Sequence, residues 1–366
     1  MKIGCVKEIK KYEYRVGLTP SSVKEYVFHN HLVMIEKGAG EGSGFSDEDY
    51  IEAGAKIIET AQEVWAKSEM IVKVKEPLES EYVYFRPNLI LYTYLHLAAD
   101  EALTNALLEK KVKGVAYETI SLEDGSLPCL KPMSEVAGRL GVIEGAKHLE
   151  KPFGGSGILL SGVPGVARAN VCIIGAGVVG ENALKMAVGL EANVTILDVN
   201  LKKLTYLDEI YGNKINTLYS NSTNLERACT SADLIISGVL LPGAKAPKLI
   251  KREYYKNMKP GSVIVDVAID QGGSTEVSKA TYHDDPVYTV DGIIHYSVAN
   301  MPGAVPRTST IALNNATLKY GLLIADKGFE LAMSLSAPLK MGVNTYNGGC
   351  TCRGVCDAFH LELLEI

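Results

Sequence analysis

The residues best suited to chemistry in this sequence are two cations, an imidazole and a carboxylate: Arg15, Lys75, His96 and Asp270. Arg15 lies in a polar stretch before a predicted helix, and the other three follow apolar runs that predict strands. Ligands of open parallel sheets bind beyond the carboxyl ends of strands. The placement of these side chains therefore favours a shared binding site for a small molecule.

A glycine-rich turn indicates which co-substrate such a site would use. Gly175, Gly177 and Gly180 form G-x-G-x-x-G between a predicted strand (171–174) and a predicted helix, and Asp198 ends the next predicted strand. The first glycine permits a tight turn, the second lets the backbone approach a pyrophosphate, and the third lets helix and strand pack closely. A carboxylate roughly 20 residues further on accepts from ribose hydroxyls and repels a 2′-phosphate, so we predict NAD rather than NADP.

Together these residues suit hydride transfer between a 2-amino acid and NAD. Arg15 can bind a carboxylate as a fork, and Lys75 can polarise a carbonyl or an imine. His96 can exchange a proton near neutral pH, and Asp270 can orient water or ammonia.

Each of these residues also has an ordinary structural interpretation. The two N-terminal cations could be surface residues, Asp270 could cap a helix, and the glycine motif could be a plain βαβ turn. Composition does not choose His96 over His148 or His295, and Lys203 leaves NADP open. From the residues alone we infer an NAD-dependent enzyme that acts on a small anion.

The alternation of strand-like and helix-like segments predicts two Rossmann-like, doubly wound α/β domains with a cleft between them. Residues 131–306 are expected to form the NAD-binding domain, inserted into a substrate domain made of residues 1–130 and 307–366. Substrate would bind in the cleft, with hinge closure as the expected motion.

Helix starts are predicted from residues that can cap them. Ser21 or Ser22 is expected to cap the first helix, and Thr308 or Ser309 the long helix after Pro306. The apolar positions of that long helix recur at helical spacing, and the helix is expected to return the chain to the first domain.

Composition argues against several classes of protein. A formal charge of −6 gives no attraction to nucleic acid or to an anionic membrane. No apolar run approaches the roughly 20 residues that span a bilayer. The first residues run directly into a strand pattern, so we expect no signal peptide and a cytoplasmic protein. Seven cysteines, an odd number, fit reduced thiols better than a disulfide framework.

Three cysteines cluster near the C-terminus as C-x-C-x3-C: Cys350, Cys352 and Cys356. A metal site or a redox pair is one interpretation, and a loop and terminal helix that carry thiols is the other. No nearby histidine or fourth cysteine has the spacing of a metal ligand, so we predict no metal.

Several short motifs, in order along nearly the whole chain, resemble the alanine dehydrogenase family. The matching stretches are residues 7–9, 13–16, 72–77, 93–98, 133–139, 175–177, 267–270 and 298–303. The resemblance implies reversible, NAD-dependent oxidative deamination of L-alanine to pyruvate and ammonium, in a homohexamer. It also implies that Arg15 and Lys75 hold the substrate and that His96 and Asp270 are catalytic.

The resemblance further implies a set of residues that line the cofactor. Carried over by matching motif, these are Ser134, Gly175, Gly177, Val178, Val179, Gly180, Asp198, Lys203, Ser220, Val239, Leu240, Val267, Ala268, Ile269, Asp270, Lys279, Val298, Ala299, Asn300 and Met301. The chain departs from the family mainly after Met341, where a histidine expected near position 349 is absent. Lys279 stands where an arginine is often found.

Three other functions fit the same motifs. The NAD-binding subunit of proton-translocating transhydrogenase is similar in fold and sequence, but it works with a membrane portion, and this sequence has no membrane run. A non-catalytic NAD-binding sensor is the second alternative, and a lysine or saccharopine dehydrogenase is a more distant one. The joint presence of Arg15, Lys75, His96 and Asp270 favours an amino-acid dehydrogenase.

Overall fold

The computed structural model describes residues 1–239 and 246–366. Its strands are β1 (Lys2–Cys5), β2 (Leu32–Glu36), β3 (Lys56–Ile58), β4 (Met70–Val72), β5 (Ile90–Thr93), β6 (Lys113–Ala116), β7 (Asn170–Ile174), β8 (Asn193–Asp198), β9 (Ile215–Tyr219), β10 (Leu234–Ser237), β11 (Val263–Asp266), β12 (Val287–Val290), β13 (Ile293–Tyr296), β14 (Val343–Tyr346) and β15 (Gly349–Cys350).

The α-helices alternate with these strands over much of the chain. They are α1 (Pro20–Phe28), α2 (Asp47–Glu52), α3 (Ala61–Lys67), α4 (Glu101–Glu109), α5 (Lys131–His148), α6 (Val178–Gly189), α7 (Leu201–Tyr211), α8 (Ser222–Ser231), α9 (Pro306–Lys327), α10 (Phe329–Leu335), α11 (Ala337–Met341) and α12 (Arg353–Phe359). Short 3-10 helices join several of them.

The chain divides into two units, each built on its own sheet. The first unit comprises Met1–Met133 and Val305–Ile366, and the second, inserted in it, comprises Ser134–Ala304. Our sequence-based boundaries were 130/131 and 306/307. The predicted fold class, two doubly wound α/β domains with the nucleotide-binding domain inserted in the other, is confirmed.

In the first unit the strand order is β15-β14-β6-β5-β4-β1-β2-β3. Strands β1 to β6 are parallel, whereas β14 and β15 pair antiparallel at one edge. The order of connection reverses between β1 and β4, which creates a switch point where the following loops diverge. Cys5 pairs with Val72, and Val72 pairs with Tyr92, so these three strands end level with one another.

The central strands of this sheet are apolar because helices cover both faces. Alternate residues of β4 contribute to two different apolar clusters: Met70 and Val72 pack in one, and Ile71 packs in the other. All three side chains are buried, and burying one such side chain contributes roughly 1.5–3 kcal/mol. This rigid layer fixes the positions from which the functional loops leave the sheet.

The second unit has strand order β12-β13-β11-β10-β7-β8-β9. All strands but β12 run parallel, and the order of connection reverses between β7 and β10. Ile173 packs in one apolar cluster, while Cys172 and Ile174 pack in the cluster on the other face. The glycine-rich turn leaves β7 beside this switch point, where doubly wound sheets bind dinucleotides.

Two predicted helix caps are wrong. Thr19, not Ser21 or Ser22, caps α1, because its side chain accepts a hydrogen bond from the Ser22 N–H at 3.1 Å. The long helix α9 begins at Pro306 without a side-chain cap, so Thr308 and Ser309 lie inside its first turn. Proline suits this start because it lacks the N–H that a cap would satisfy.

Across residues 1–239 and 246–366, no helix is both long and apolar enough to cross a bilayer.

Candidate active site

Three of the candidate residues leave the same edge of the first sheet. Arg15 lies in the loop after β1, Lys75 lies three residues beyond β4, and His96 lies three residues beyond β5. These strands are parallel and adjacent, so their carboxyl ends meet at the switch point of this unit. The sequence patterns extended the β4 and β5 strands to Lys75 and His96, but the structure leaves both residues in loops.

His96 is held by a carboxylate that the sequence analysis missed. Its Nδ1 lies 3.2 Å from Glu76 Oε2, and its backbone N–H donates to Glu118 Oε1 at 2.6 Å. The imidazole stacks on the Tyr94 ring and remains 45% exposed. Because Nδ1 is engaged with a carboxylate, Nε2 is the ring nitrogen that can exchange a proton with a ligand.

Glu76 is suited to remain ionised beside this histidine. Burial alone would raise the pKa of Glu76, but the hydrogen bond from His96 and the charges of Lys75 and His96 outweigh it, with Lys10 as a further hydrogen-bond donor. The pKa of this carboxyl therefore lies well below its ordinary value. A permanently charged partner fixes which imidazole nitrogen carries the proton.

The segment before Lys75 is fixed by a buried ionic cluster. Glu8 Oε1 accepts from the backbone N–H groups of Val74 at 2.6 Å and Lys75 at 3.2 Å. The Lys73 ammonium, fully buried, lies 3.2 Å from Glu8 Oε2 and 3.0 Å from Glu81 Oε1. Burial raises the pKa of Glu8 while the charge of Lys73 opposes that rise. The cluster thus restrains the backbone from which Lys75 projects.

Arg15 is almost fully buried, at 2% exposure, and is paired with an equally buried carboxylate. Its Nε and Nη2 donate to the two oxygens of Glu13 at 2.7 Å and 2.6 Å. Its Nη1 lies 3.1 Å from the Met133 sulfur, a weak acceptor. Since a guanidinium has five N–H donors, a ligand carboxylate at Nη1 is compatible with the Glu13 pair.

The structure distinguishes His96 from the two histidines that composition left open. His148 is buried in the second unit and its Nδ1 lies 2.8 Å from the Glu144 carbonyl oxygen. His295 is also buried there, and burial lowers its pKa to about 4. Neither is exposed at the strand edge that carries Lys75 and Arg15.

The glycine turn of the second unit has the form of a phosphate-binding turn. Gly175 has φ of +97°, which disfavours any side chain, and a Cβ on Gly180 would lie 1.7 Å from the Gly175 carbonyl oxygen. Gly177 precedes α6, whose N-terminus has no side-chain cap, and a Cβ there would meet nothing within 4 Å. Open space above uncapped N–H groups suits a pyrophosphate.

We predict that two glycine-to-alanine substitutions in this turn affect different properties, one the stability of the protein and the other its affinity for NADH. Gly180→Ala should lower the unfolding temperature of the ligand-free protein, since overpacking costs about 1–3 kcal/mol. Gly177→Ala should leave that temperature unchanged but raise the Kd for NADH about tenfold or more, because its methyl group would fill the phosphate position. Thermal unfolding and NADH fluorescence titration measure the two effects. An unchanged Kd in Gly177→Ala would rule out this turn as the phosphate site.

Asp198 ends β8 and holds the glycine turn in place. Its Oδ2 accepts from the Ala176 N–H at 2.6 Å, and its Oδ1 accepts from the Asn200 N–H at 2.7 Å. A carboxylate has about four acceptor sites, so the contacts with these two N–H groups leave acceptor capacity for ribose hydroxyls.

Asp270 is exposed in the 3-10 helix Val267–Gln271, directly after β11. A second carboxylate, the fully buried Asp266, anchors the loop that follows. It accepts from the Ser274 N–H at 2.9 Å and from the Ser274 and Ser278 hydroxyls at 3.0 Å and 2.7 Å. Asp266 therefore fixes the backbone on both sides of Asp270.

Most of the other predicted cofactor residues follow parallel strands of the second sheet. They are Val178 and Val179 after β7, Lys203 in the first turn of α7 after β8, Ser220 after β9, Val239 after β10, Val267, Ala268 and Ile269 after β11, and Val298, Ala299, Asn300 and Met301 after β13. Ser134 lies on α5, Lys279 donates its backbone N–H to Tyr288 Oη at 2.9 Å, and Leu240 lies outside the described residues.

No group of three or more His, Cys, Asp or Glu side chains with a geometry that could hold a metal ion occurs within residues 1–239 and 246–366.

Comparisons with known proteins show which family the chain belongs to. The chain matches the family models "Alanine dehydrogenase/PNT, N-terminal domain" over residues 4–137 and "Alanine dehydrogenase/PNT, C-terminal domain" over residues 141–353. An alanine dehydrogenase from Staphylococcus haemolyticus is 56% identical over 100% of this chain and 98% of its own length. One from Methanococcus maripaludis is 57% identical over 99% of this chain and 97% of its own.

Solved structures with a similar fold include an alanine dehydrogenase and a transhydrogenase. An L-alanine dehydrogenase superposes with a TM-score of 0.96 at 49% identity, covering 98% of this chain and 99% of its own. A transhydrogenase from Sinorhizobium meliloti superposes with a TM-score of 0.84 over 96% of this chain and 100% of its own, but at 23% identity it shares the fold alone. The family models and the full-length relatives show that the chain belongs to the alanine dehydrogenase/PNT family.

Proposed function

We propose that this chain catalyses the reversible oxidative deamination of L-alanine to pyruvate and ammonium with NAD. The full-length similarity to alanine dehydrogenases supports the reaction. The observation that carries the mechanism is the Glu76–His96 pair, which leaves the same sheet edge as Lys75 and Arg15.

The second unit would hold the cofactor. The N–H groups at the start of α6, above Gly177, suit the pyrophosphate, and Asp198 suits the ribose hydroxyls. When bound there, NAD supplies the oxidising power of the reaction by accepting a hydride from the substrate Cα.

Substrate binding falls to the two cations of the first unit. Arg15 would bind the carboxylate through its guanidinium group, which can donate to more than one carboxylate. Lys75 would bind the oxygen of pyruvate and stabilise the negative charge that develops on it. Glu8 contributes by restraining the Lys75 backbone, so that this ammonium is already in position when substrate arrives.

His96 would move the proton. The substrate ammonium group first loses a proton to solvent, so that loss of a hydride from Cα leaves an iminium ion, which water attacks to form the carbon–oxygen bond of pyruvate. His96 Nε2 accepts one proton from that water and returns it to the nitrogen, while Glu76 stabilises the imidazolium that forms in between. The C–N bond then breaks as the carbonyl forms, and the remaining O–H proton leaves with ammonia as ammonium. Asp270, on the second unit, would orient the attacking water.

The test of this proposal is NADH oxidation with pyruvate and ammonium. Turnover that requires both compounds supports the dehydrogenase. Failure with them, together with hydride exchange between NADH and an NADP analogue, would favour a transhydrogenase subunit. NADH binding without either reaction would favour a sensor. A panel of small 2-oxo acids would then establish how strictly the site selects pyruvate.

The choice of NAD over NADP gives a further prediction. Asp198→Gly removes the charge that would repel a 2′-phosphate, so the ratio of the NAD to NADP specificity constants should fall roughly tenfold. The ratio is the appropriate readout because the variant also loses the hydrogen bonds to Ala176 and Asn200. Asp208→Gly, which removes an exposed charge from α7, is the matched control. An unchanged ratio in Asp198→Gly would mean that other residues discriminate at the ribose.

The family relationship also leads us to expect a homo-oligomer, with a hexamer as the specific expectation. Light scattering on the pure protein measures its mass in solution and tests this expectation.

A further inference from the structure

The C-terminal cysteines form a cluster of three thiols, defined by Cys350, Cys352 and Cys356. Cys350 lies on β15, Cys352 precedes α12 and Cys356 lies within it. The Cys356 thiol donates to the Cys350 carbonyl oxygen at 3.8 Å, and the Cys350 thiol donates to the Cys352 carbonyl oxygen at 3.6 Å. The Cys356 sulfur is thus within hydrogen-bond distance of the Cys350 backbone, which brings the two residues together although six positions separate them in the sequence. All three cysteines are free thiols.

This cluster fastens the end of the chain to the first unit. Cys350 forms a β-bridge with Leu363, and the Leu364 N–H donates to the Cys350 carbonyl oxygen at 2.7 Å. The Cys356 thiol also contacts the Glu362 carbonyl oxygen at 3.8 Å. A covalent bond within the cluster would therefore fix the terminal segment against β15 and α12.

The cluster differs from a second thiol pair that offers a comparison within the chain. Cys172 and Cys229 in the second unit pack in one apolar cluster, and both are buried. Cys350 and Cys356 are 2% and 4% exposed, but the adjacent Cys352 is only half-buried. Solvent therefore reaches the edge of the terminal cluster at Cys352.

We propose that Cys350 and Cys356 are an oxidation site at which a peroxide converts two thiols into one disulfide. Cys356 attacks hydrogen peroxide, which breaks the O–O bond, releases water and leaves a sulfenic acid on Cys356. Cys350 then attacks that sulfur, forms the S–S bond and releases a second water molecule. The two thiols lose two electrons and two protons in total, and the peroxide is reduced to two waters.

Burial supports the order of these steps. It raises the pKa of Cys350 to about 12, with the neighbouring Cys356 thiol adding to the rise. Cys350 is therefore protonated at neutral pH, and a protonated thiol is a poor nucleophile toward peroxide. Cys350 is therefore the poorer first nucleophile and attacks second, when its thiol proton leaves together with the hydroxyl group of the sulfenic acid as water.

The test is peptide mapping of the intact, full-length protein after exposure to hydrogen peroxide. Trypsin cleaves after Lys340 and Arg353, so Cys350 and Cys352 fall in peptide 341–353 and Cys356 falls in peptide 354–366. The expected product is a non-reduced species that joins these two peptides with the loss of two hydrogens and disappears after dithiothreitol. This readout is independent of catalysis, so failure of the proposed activity would not affect it.

Single substitutions identify the bond. Cys350→Ser and Cys356→Ser should each abolish the cross-linked species, while Cys352→Ser, the matched control in the same cluster, should retain it. The peptides that carry Cys172 and Cys229 should remain unlinked under the same exposure. Absence of the 341–353 to 354–366 cross-link would overturn the proposal. So would a cross-link that survives Cys350→Ser and is lost in Cys352→Ser.

Discussion

His96→Ala is expected to lower kcat about 10²–10⁴-fold, the range contributed by a positioned general acid–base group. The reason is the Glu76–His96 hydrogen bond of 3.2 Å, which orients the ring and leaves Nε2 to exchange the proton. The Kd for NADH should be unchanged, because the glycine turn and Asp198 belong to the second unit. Steady-state kinetics with pyruvate and ammonium, together with NADH titration, measure both quantities.

A matched control exists elsewhere in the chain. His96 adopts φ of +51°, and the exposed His360 adopts φ of +55°, so alanine at either position meets the same backbone strain. His360→Ala should therefore change the stability of the protein as His96→Ala does, but it should leave kcat unchanged. Turnover of His96→Ala at the level of His360→Ala would remove His96 from the mechanism.

Arg15→Lys is expected to raise the KM for pyruvate about 10–100-fold with a smaller change in kcat. Lysine keeps a positive charge beside the buried Glu13 carboxylate, but it cannot donate from a planar fork to both Glu13 and a substrate carboxylate. Hydrogen bonds to charged groups contribute roughly 1.5–3 kcal/mol, which corresponds to this range of affinity. Initial rates over a series of pyruvate concentrations provide the measurement.

Lysine is preferred here to alanine because of Glu13. Arg15→Ala would remove the guanidinium from a buried ion pair, which costs about 3–5 kcal/mol, so a change in KM could not be separated from a change in folding. The control is Arg86→Lys, which replaces a different arginine of the same unit, one whose guanidinium contacts the Ser68 carbonyl oxygen. It shows the effect of replacing an arginine by a lysine away from the proposed site. A KM for pyruvate in Arg15→Lys equal to that of Arg86→Lys would contradict the assignment of the carboxylate to Arg15.

The sequence predicts the fold well because both sheets depend on local patterns. Buried parallel strands such as β4 and β7 are short apolar runs, and the Gly175–Gly180 turn marks the switch point of the second sheet. Strands without a short apolar run were not predicted. Among them β14 and β15 are short and antiparallel. β14 pairs with β6 from more than two hundred residues earlier, and β15 pairs with β14.

The contacts of the candidate site were less predictable than its members. Glu76 was visible in the sequence only as the residue after Lys75, and its contact with His96 depends on β4 and β5 being neighbours in the sheet. The Glu8–Lys73 ion pair joins loops that follow β1 and β4, and no local pattern encodes such a pairing. The roles of Arg15, Lys75, His96 and Asp270 remain predictions until the variants are measured.

The most direct test of the whole account is to follow the hydrogen on the substrate Cα. With L-alanine deuterated at Cα and unlabelled NAD, the account predicts that the reduced cofactor carries the deuterium, because the hydride passes directly from alanine to the nicotinamide. Reduced cofactor without deuterium, with the label recovered in water, would contradict direct transfer and with it the mechanism proposed for these residues.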